Sequence, residues 1–366
     1  MSLSSIQVET ALARLVNGMT GLRADSRFDE AGLKGASGDY VSFDCWEWPQ
    51  GVGLYGLVKL WKQTGDYALL KTIEDWYDRR IASGLPEMNV TTTAPMLALC
   101  ELWRVQQQPR FADILSEWAQ RAVITMPRTP QGGIQHNDSD EISDDQLWDD
   151  TLFMVALFLA SYGQATGQRR FVDEAERQFL VHAHYLADTK TGLWFHGWTF
   201  AGRHNFARAL WGRGNSWVTV GVLDLIDLAE LSPSVGEFLL GVVSAQIDAL
   251  MKLQAPSGAW RTLLDDPSSY EEISATAGFG YGLMKAARLG LASEECRQAG
   301  LRALGAVMNN ITADGVVQNV SYGTRIGHDL QFYRDIPIQP TGYGQALSIL
   351  CLTEGLEALR MQRQAA

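Results

Sequence analysis

The sequence predicts an all-α fold, an (α/α)6 barrel of six helical hairpins, built as a single domain over residues 1–366. Two observations predict it. Apolar residues recur with a 3.6-residue period through twelve segments, near 5–18, 51–64, 68–82, 94–106, 109–124, 146–163, 169–186, 213–230, 235–252, 272–288, 292–308 and 341–360, with no convincing set of strands. The segments also alternate in kind. Stretches such as GVGLYGLVKLWK, LWDDTLFMVALFLASYG and GNSWVTVGVLDLIDLAEL are apolar on most faces and rich in small residues. A helix of that pattern is buried all round. Their partners, such as YALLKTIEDWYDRRIA and RFVDEAERQFLVHAHYLA, set a charged stripe against an apolar one and so face solvent on one side. Six of each, in antiparallel hairpins, form an inner barrel wrapped by an outer ring.

Hairpin topology puts the N-termini of all inner helices at one end. The loops that enter them are long and rich in Gly, aromatic residues and His: FDCWEWPQG, SGLPEMNVTTT, TPQGGIQHNDSDEISDD, TGLWFHGWTFAGRHNFARALWGRGN, SGAWRTLLDDPSSYEE and GTRIGHDLQFYRDIPIQPTGYG. A funnel-shaped site is expected there, where helix dipoles favour anionic groups.

Composition narrows what enters that funnel. A formal charge of −12 argues against a nucleic-acid partner, and the 12 Trp, 11 Tyr and 13 Phe supply faces that pack cores or stack on sugar rings. Four cysteines, Cys45, Cys100, Cys296 and Cys351, lack CxxC spacing and read as reduced thiols. No opening signal sequence is legible and no segment reads as a bilayer span, so no membrane partner and a cytoplasmic location are expected. HExxH, EF-hand and GxGxxG-after-strand patterns are absent, so neither a metal nor a cofactor is expected. The oligomeric state is not legible.

Asp150 is the strongest candidate catalyst. It sits three, four and seven residues before Phe153, Met154 and Leu157, on a face that is otherwise apolar. Burial there is expected to raise its pKa toward that of a general acid. Asp144 and Asp145 read instead as decoration of a helix N-terminus. His196-Gly197-Trp198 and Trp211-Gly212-Arg213-Gly214-Asn215-Ser216-Trp217 form a second constellation. Arg213 offers a planar fork for a carboxylate, and Trp198 and Trp217 offer stacking faces. His136, ahead of the Asp150 helix, could line the same pocket, as could Trp46, Tyr333 and Trp148. His182 and His184 read as surface or packing residues, and His204 and His328 as weak candidates.

Over most of its length, and in order, the chain resembles the unsaturated rhamnogalacturonyl hydrolases of glycoside hydrolase family 105. The resemblance lies in WEWPQGVGLYGL, NVTTTAPML, GGIQHNDSD, QLWDDTLFM, FHGW, WGRGNSW, SGAWRTLLDDPSSYEEISATAGFGYGL and YGQALSIL. It implies the (α/α)6 barrel and a substrate ending in a 4,5-unsaturated galacturonic acid. It further implies that Asp150 protonates C4 of the double bond while water adds at C5, after which the ring opens and the sugar is released. His196 would contact substrate, Arg213 would sit near the uronate carboxylate, Trp217 would stack, and His136 would be a further pocket residue. One departure stands out. Many members carry an Asp where this chain has Asn89, which can orient water or a hydroxyl but cannot act as a base. Unsaturated glucuronyl hydrolases share the barrel and the chemistry, and an (α/α)6 sugar epimerase, which needs two bases, is the rival from another class.

Overall fold

The computed structural model describes residues 3–23 and 41–365. The helices run α1 (Ser5–Gly21), α2 (Trp48–Thr64), α3 (Tyr67–Ala82), α4 (Val90–Gln106), α5 (Pro109–Ile124), a π-helical turn (Leu152–Ala156) leading into α6 (Leu157–Thr166), α7 (Arg169–Leu186), α8 (Gly212–Leu228), α9 (Pro233–Leu253), α10 (Ile273–Arg288), α11 (Glu294–Asn309), the short α12 (Leu330–Arg334) and α13 (Gly342–Ala365). Each of α2, α4, α6, α8, α10 and α13 contacts the next, and α13 returns to α2, so the inner ring closes. The other long helices flank it as the outer partners.

Sequence explains which helix goes where. Along α7 only one stripe is apolar, and Phe171, Ala175, Phe179, Ala183 and Leu186 are among the residues the helix buries. Along α4 every residue from Val90 to Leu102 is buried, because neighbours cover it on all sides. Small residues let the inner helices approach. A Cβ on Gly51 of α2 would lie 2.6 Å from the Pro95 nitrogen of α4. The helix ends carry their own stops: Asp66 caps α3 through the Ala68 and Leu69 amides, and Gly65 and Gly167 close α2 and α6 in the left-handed conformation.

Three expectations need correction. Residues 146–148 are not the start of a helix but a strand, β1 (Gln146–Trp148), paired antiparallel with β2 (Gly197–Thr199). A second ribbon joins β3 (Trp260–Arg261) to β4 (Glu271–Glu272), and the helix α12 lies within the last long loop. These pieces are too short for a periodicity signal and exist because the loops fold against one another. The π turn follows directly after Asp149, Asp150 and Thr151, where a continuous helix was expected; such turns concentrate at functional sites. Finally, α9 is long and apolar enough, by length and composition alone, to cross a membrane. In this fold it is the outer partner of α8, and Leu239, Val243, Ile247 and Leu250 are among its buried residues.

The end of the barrel opposite the entering loops is closed by charge. Asp224 of α8 accepts hydrogen bonds from Tyr55 of α2 (2.5 Å) and from Tyr281 (2.5 Å) and Lys285 (2.6 Å) of α10. Lys285 also donates to Asp227 (2.7 Å), and the Lys59 ammonium stands 3.5 Å from Asp224. Asp224 lies eleven positions after Arg213 on α8, roughly 16 Å along the axis at the helical rise.

Candidate active site

At the N-terminal end of the inner helices the loops line a cleft. Its wall takes Trp48 from α2, Thr91 from α4, His136, Asp138 and Asp140 from the third long loop, and Trp148, Asp150 and Met154 around the π turn. Trp211, Arg213 and the segment Gly323–Arg325 complete it.

The β1–β2 ribbon builds the centre. Pairing Trp148 with Gly197 brings the carboxyls that follow β1 beside His196, which precedes β2, and the Asp149 amide donates to the His196 carbonyl (3.1 Å). The Gly327 amide donates to the Tyr333 hydroxyl (3.1 Å), and that hydroxyl pairs with Nδ1 of His196 (2.8 Å). We assign the imidazole proton to Nε2, which faces Asp150 Oδ2 at 3.5 Å, so that the Tyr333 hydroxyl donates to Nδ1. Burial, opposed only in part by Asp150, lowers the His196 pKa, so the ring is neutral at pH 7. His136 pairs its Nδ1 with Thr151 Oγ1 (2.8 Å) and stacks on Trp148 with ring centroids 4.3 Å apart. Burial pushes its pKa down to about 4.

The two adjacent carboxyls differ sharply. Asp150 opens on the cleft, with a side chain 18% exposed. Burial alone would raise its pKa, but hydrogen bonding from His196, the proximity of His136 and hydrogen bonding from Asp149 outweigh it and hold the carboxyl down to about 2. The expected upward shift is therefore reversed. Asp149 is fully buried behind it; burial first, then the Asp150 charge, push its pKa far up. Together with His196 these carboxyls bring ligand atoms within 4.8 Å of one another. Binding an ion there would require Asp149 to lose its proton at a position with no solvent.

Other expected residues fall in different places. Arg213 lines the cleft, but its fork is not vacant: Nη1 donates to Ser321 O (3.0 Å) and Oγ (2.6 Å), and Nη2 to Tyr322 O (3.1 Å) and Thr324 Oγ1 (2.7 Å). The guanidinium is sandwiched between the Trp211 and Tyr343 rings, 3.9 Å from Glu272. It shapes the 321–324 loop rather than presenting a free fork. Trp217 is fully buried and packs edge-on to Trp48 and against Phe153, so Trp48 is the ring that reaches the cleft. Trp46 stacks on Trp76 (5.3 Å) and donates to Thr92 O, and Trp198 packs on Tyr185. Neither is part of the cleft wall. Asn89 is committed to capping α4: its Oδ1 accepts from the Thr92 amide (2.8 Å) and its Nδ2 donates to Ser139 (3.1 Å). Tyr333 acts through His196. With Asp138, Asp140 and Asp150 in its wall beside Arg213 and Arg325, the cleft carries both signs of charge rather than being cationic.

Residues 33–359 match the family described as Glycosyl Hydrolase Family 88. The chain belongs to Glycosyl Hydrolase Family 88. A solved structure described as a possible member of the GH105 family from Salmonella enterica serovar Paratyphi A superposes with a TM-score of 0.93 at 41% identity, covering 97% of this chain and 95% of that one. A Klebsiella pneumoniae structure of the same description gives 0.92 at 40% identity, covering 97% and 94%. Unsaturated rhamnogalacturonyl hydrolase YesR of Bacillus subtilis is 29% identical over 315 residues, 85% of this chain and 90% of its own length. The resemblance to family 105 and the helical toroid therefore stand, and the protein is a glycoside hydrolase with the family's activity on unsaturated glycosyl units.

Within this family 88 site, sequence reasoning gave no role to Asp149, Asp138, Asp140, Trp211 and Thr324. Asp149 had a signal: on a strand followed by a turn, rather than on a helix, two successive carboxyls can both turn inward. The rest are brought to the cleft by loop packing. Tyr333→Phe removes the hydroxyl that orients His196 and leaves a buried ring nitrogen without its donor, a loss of about 1–3 kcal/mol. We expect kcat to fall about tenfold with the helical content unchanged, measured by initial rates and circular dichroism.

Proposed function

We propose that this chain releases a 4,5-unsaturated galacturonic acid from the non-reducing end of rhamnogalacturonan fragments, in the cytoplasm, with the whole chain as one catalytic domain. The observation that carries the reading is the Asp150 carboxyl, open to an enclosed aromatic cleft and flanked by two neutral histidines. Vinyl-ether hydration needs one carboxylic acid aimed at C4 and a water at C5, whereas direct glycoside hydrolysis uses two carboxyls about the anomeric centre. The acid gives its proton to C4, and water bonds to C5 and returns a proton to the carboxyl. The hemiketal so formed opens, and the hemiacetal at C1 collapses to free the aglycone.

Trp48 and Trp148 offer faces to the sugar, and Arg325 with Arg213 sets positive charge beside the uronate carboxylate. The Bacillus subtilis relative, a rhamnogalacturonyl hydrolase, supports a galacturonyl substrate. A glucuronyl-type substrate is the second reading, supported by the Unsaturated 3S-rhamnoglycuronyl hydrolase of an Alteromonas species, 27% identical over 54% of this chain and 52% of its own length. Incubation with unsaturated galacturonyl-rhamnose and with unsaturated glucuronyl disaccharides tests the reading. Loss of the conjugated acid's ultraviolet absorbance is expected, fastest with the galacturonyl substrate; absorbance that persists with every unsaturated uronide overturns it.

A further inference from the structure

Asp149 is absent from the cleft wall, yet it is the most costly side chain at the centre of the site. It is 0% exposed, and among the described residues no side chain donates a hydrogen bond to either carboxyl oxygen. An ionised carboxylate in that position would lack both solvent and a counter-charge, and proteins avoid this by keeping such a group protonated. A buried O–H in turn needs an acceptor.

Among the described residues the side-chain acceptor beside it is Asp150. On β1 and the turn after it, the neighbour is the Asp150 carboxyl. From the loop before β2 comes His196, whose carbonyl is already taken by the Asp149 amide and whose Nε2–H faces Asp150. From α8, Gly214 lies directly against the carboxyl: a Cβ there would collide with both oxygens and with the Trp211 ring. Arg213 beside it turns its guanidinium to the 321–324 loop. Tyr333 and His136 are the remaining titratable groups, and their polar atoms are engaged with His196 and Thr151. Two separated motifs, WDD and GRG, thus interlock to make a closed compartment that fits one carboxyl and directs it at Asp150.

We propose that Asp149 is a positioning residue that holds the proton Asp150 delivers, the two carboxyls forming a pair that carries one proton through neutral pH. This rests on the hydration reading given above. In the resting site the proton is on Asp149 and is donated as a hydrogen bond to the Asp150 carboxylate. On reaction it passes to Asp150 and then to C4, as the double-bond electrons form the new C–H bond. The water that bonds to C5 returns one proton to the pair, so the enzyme is restored with no other reactant. The arrangement resolves the contradiction at Asp150, which by itself is ionised at neutral pH and has nothing to give.

Asp149→Asn preserves shape and a donor to Asp150 but holds no exchangeable acid proton. Its expected kcat is lower by ~10²-fold or more at pH 7, the range of a lost general-acid contribution, with KM within about threefold. The pH profile is the decisive readout. The wild type should keep a plateau to neutral pH, whereas the variant should lose rate about tenfold per pH unit above the Asp150 pKa of about 2, as its lone carboxyl ionises. Infrared difference spectra of the wild type against Asp149→Asn should show a protonated carboxylic acid C=O stretch at pH 7, independent of any substrate. Should the substitution impair folding, Gly214→Ala, which crowds the same carboxyl from α8, is expected to shift the same pH limb in the refolded, helical protein. An Asp149→Asn enzyme with the wild-type plateau and kcat, or a spectrum without the protonated acid band, overturns the proposal. If the wild type consumes no unsaturated uronide while the acid band is present, it is the proposed function that fails and not the carboxyl pair.

Discussion

Asp150→Asn is expected to lose ~10²–10⁴-fold in kcat, the contribution of a positioned general acid, while substrate still binds. Asn keeps the shape of the side chain and its contact with His196 but can neither receive a proton from Asp149 nor pass one to C4. The substitution removes charge from a carboxyl that faces the cleft, so binding of an anionic uronide should hold or tighten. Isothermal titration with the intact unsaturated disaccharide, made possible by the slow variant, separates binding from turnover. A variant that turns over at the wild-type rate would remove Asp150 from the mechanism. A variant that fails to bind would assign it to recognition.

The second large effect lies at the other end of the barrel. Asp224→Ala should destabilise the protein by about 3–5 kcal/mol, because it leaves the buried Lys285 ammonium without its main partner. Tyr55 and Tyr281 lose their acceptor as well. Replacing both charges, as Asp224→Leu with Lys285→Met, should recover much of that loss, since a buried ion pair is often no better than an apolar pair. The pH dependence has a definite sign. Burial acts to raise the Asp224 pKa, but Lys285 and Lys59 outweigh it and hold the carboxyl well below its ordinary value. A group depressed in the folded state adds stability that is full above its unfolded pKa of about 3.9 and is lost as pH falls through the folded value. Wild-type stability should therefore fall at acid pH below about 4, and the double variant should show a shallower fall. Urea denaturation midpoints across pH 2–7 (~5 units) measure both.

The ring was legible because burial all round and burial on one face write different patterns into a helix, and the contrast between α4 and α7 is the clearest case. The place of the site followed from hairpin topology, and His136, Trp148, Asp150 and Arg213 do meet in one cleft. Local periodicity failed where the backbone stopped being periodic. Three strand residues and a π turn replace the expected start of the sixth long helix, and they change what Asp149 and Asp150 face. Asn89 illustrates a different limit. Its type was read correctly as no base, but only the fold reveals that its side chain is spent on the first turn of α4 and on Ser139. Trp217 and Trp46 show why aromatic residues near a site are ambiguous: both sit in the second layer, under Trp48 and against Trp76.

Arg213 carries the same lesson for charge. A guanidinium in a Gly-rich loop suggests a ligand fork, yet here its four hydrogen bonds to Ser321, Tyr322 and Thr324 hold the segment that forms the cleft wall. Its influence on the cleft is through position and field.

The central claim is that the carboxyl pair protonates carbon, and running the reaction in deuterium oxide tests it most directly. Proton magnetic resonance of the product from unsaturated galacturonyl-rhamnose, taken at early times, should show one deuterium installed at C4 in the wild type. A product formed at full rate with no deuterium at C4 would mean direct cleavage of the glycosidic bond and would contradict the account.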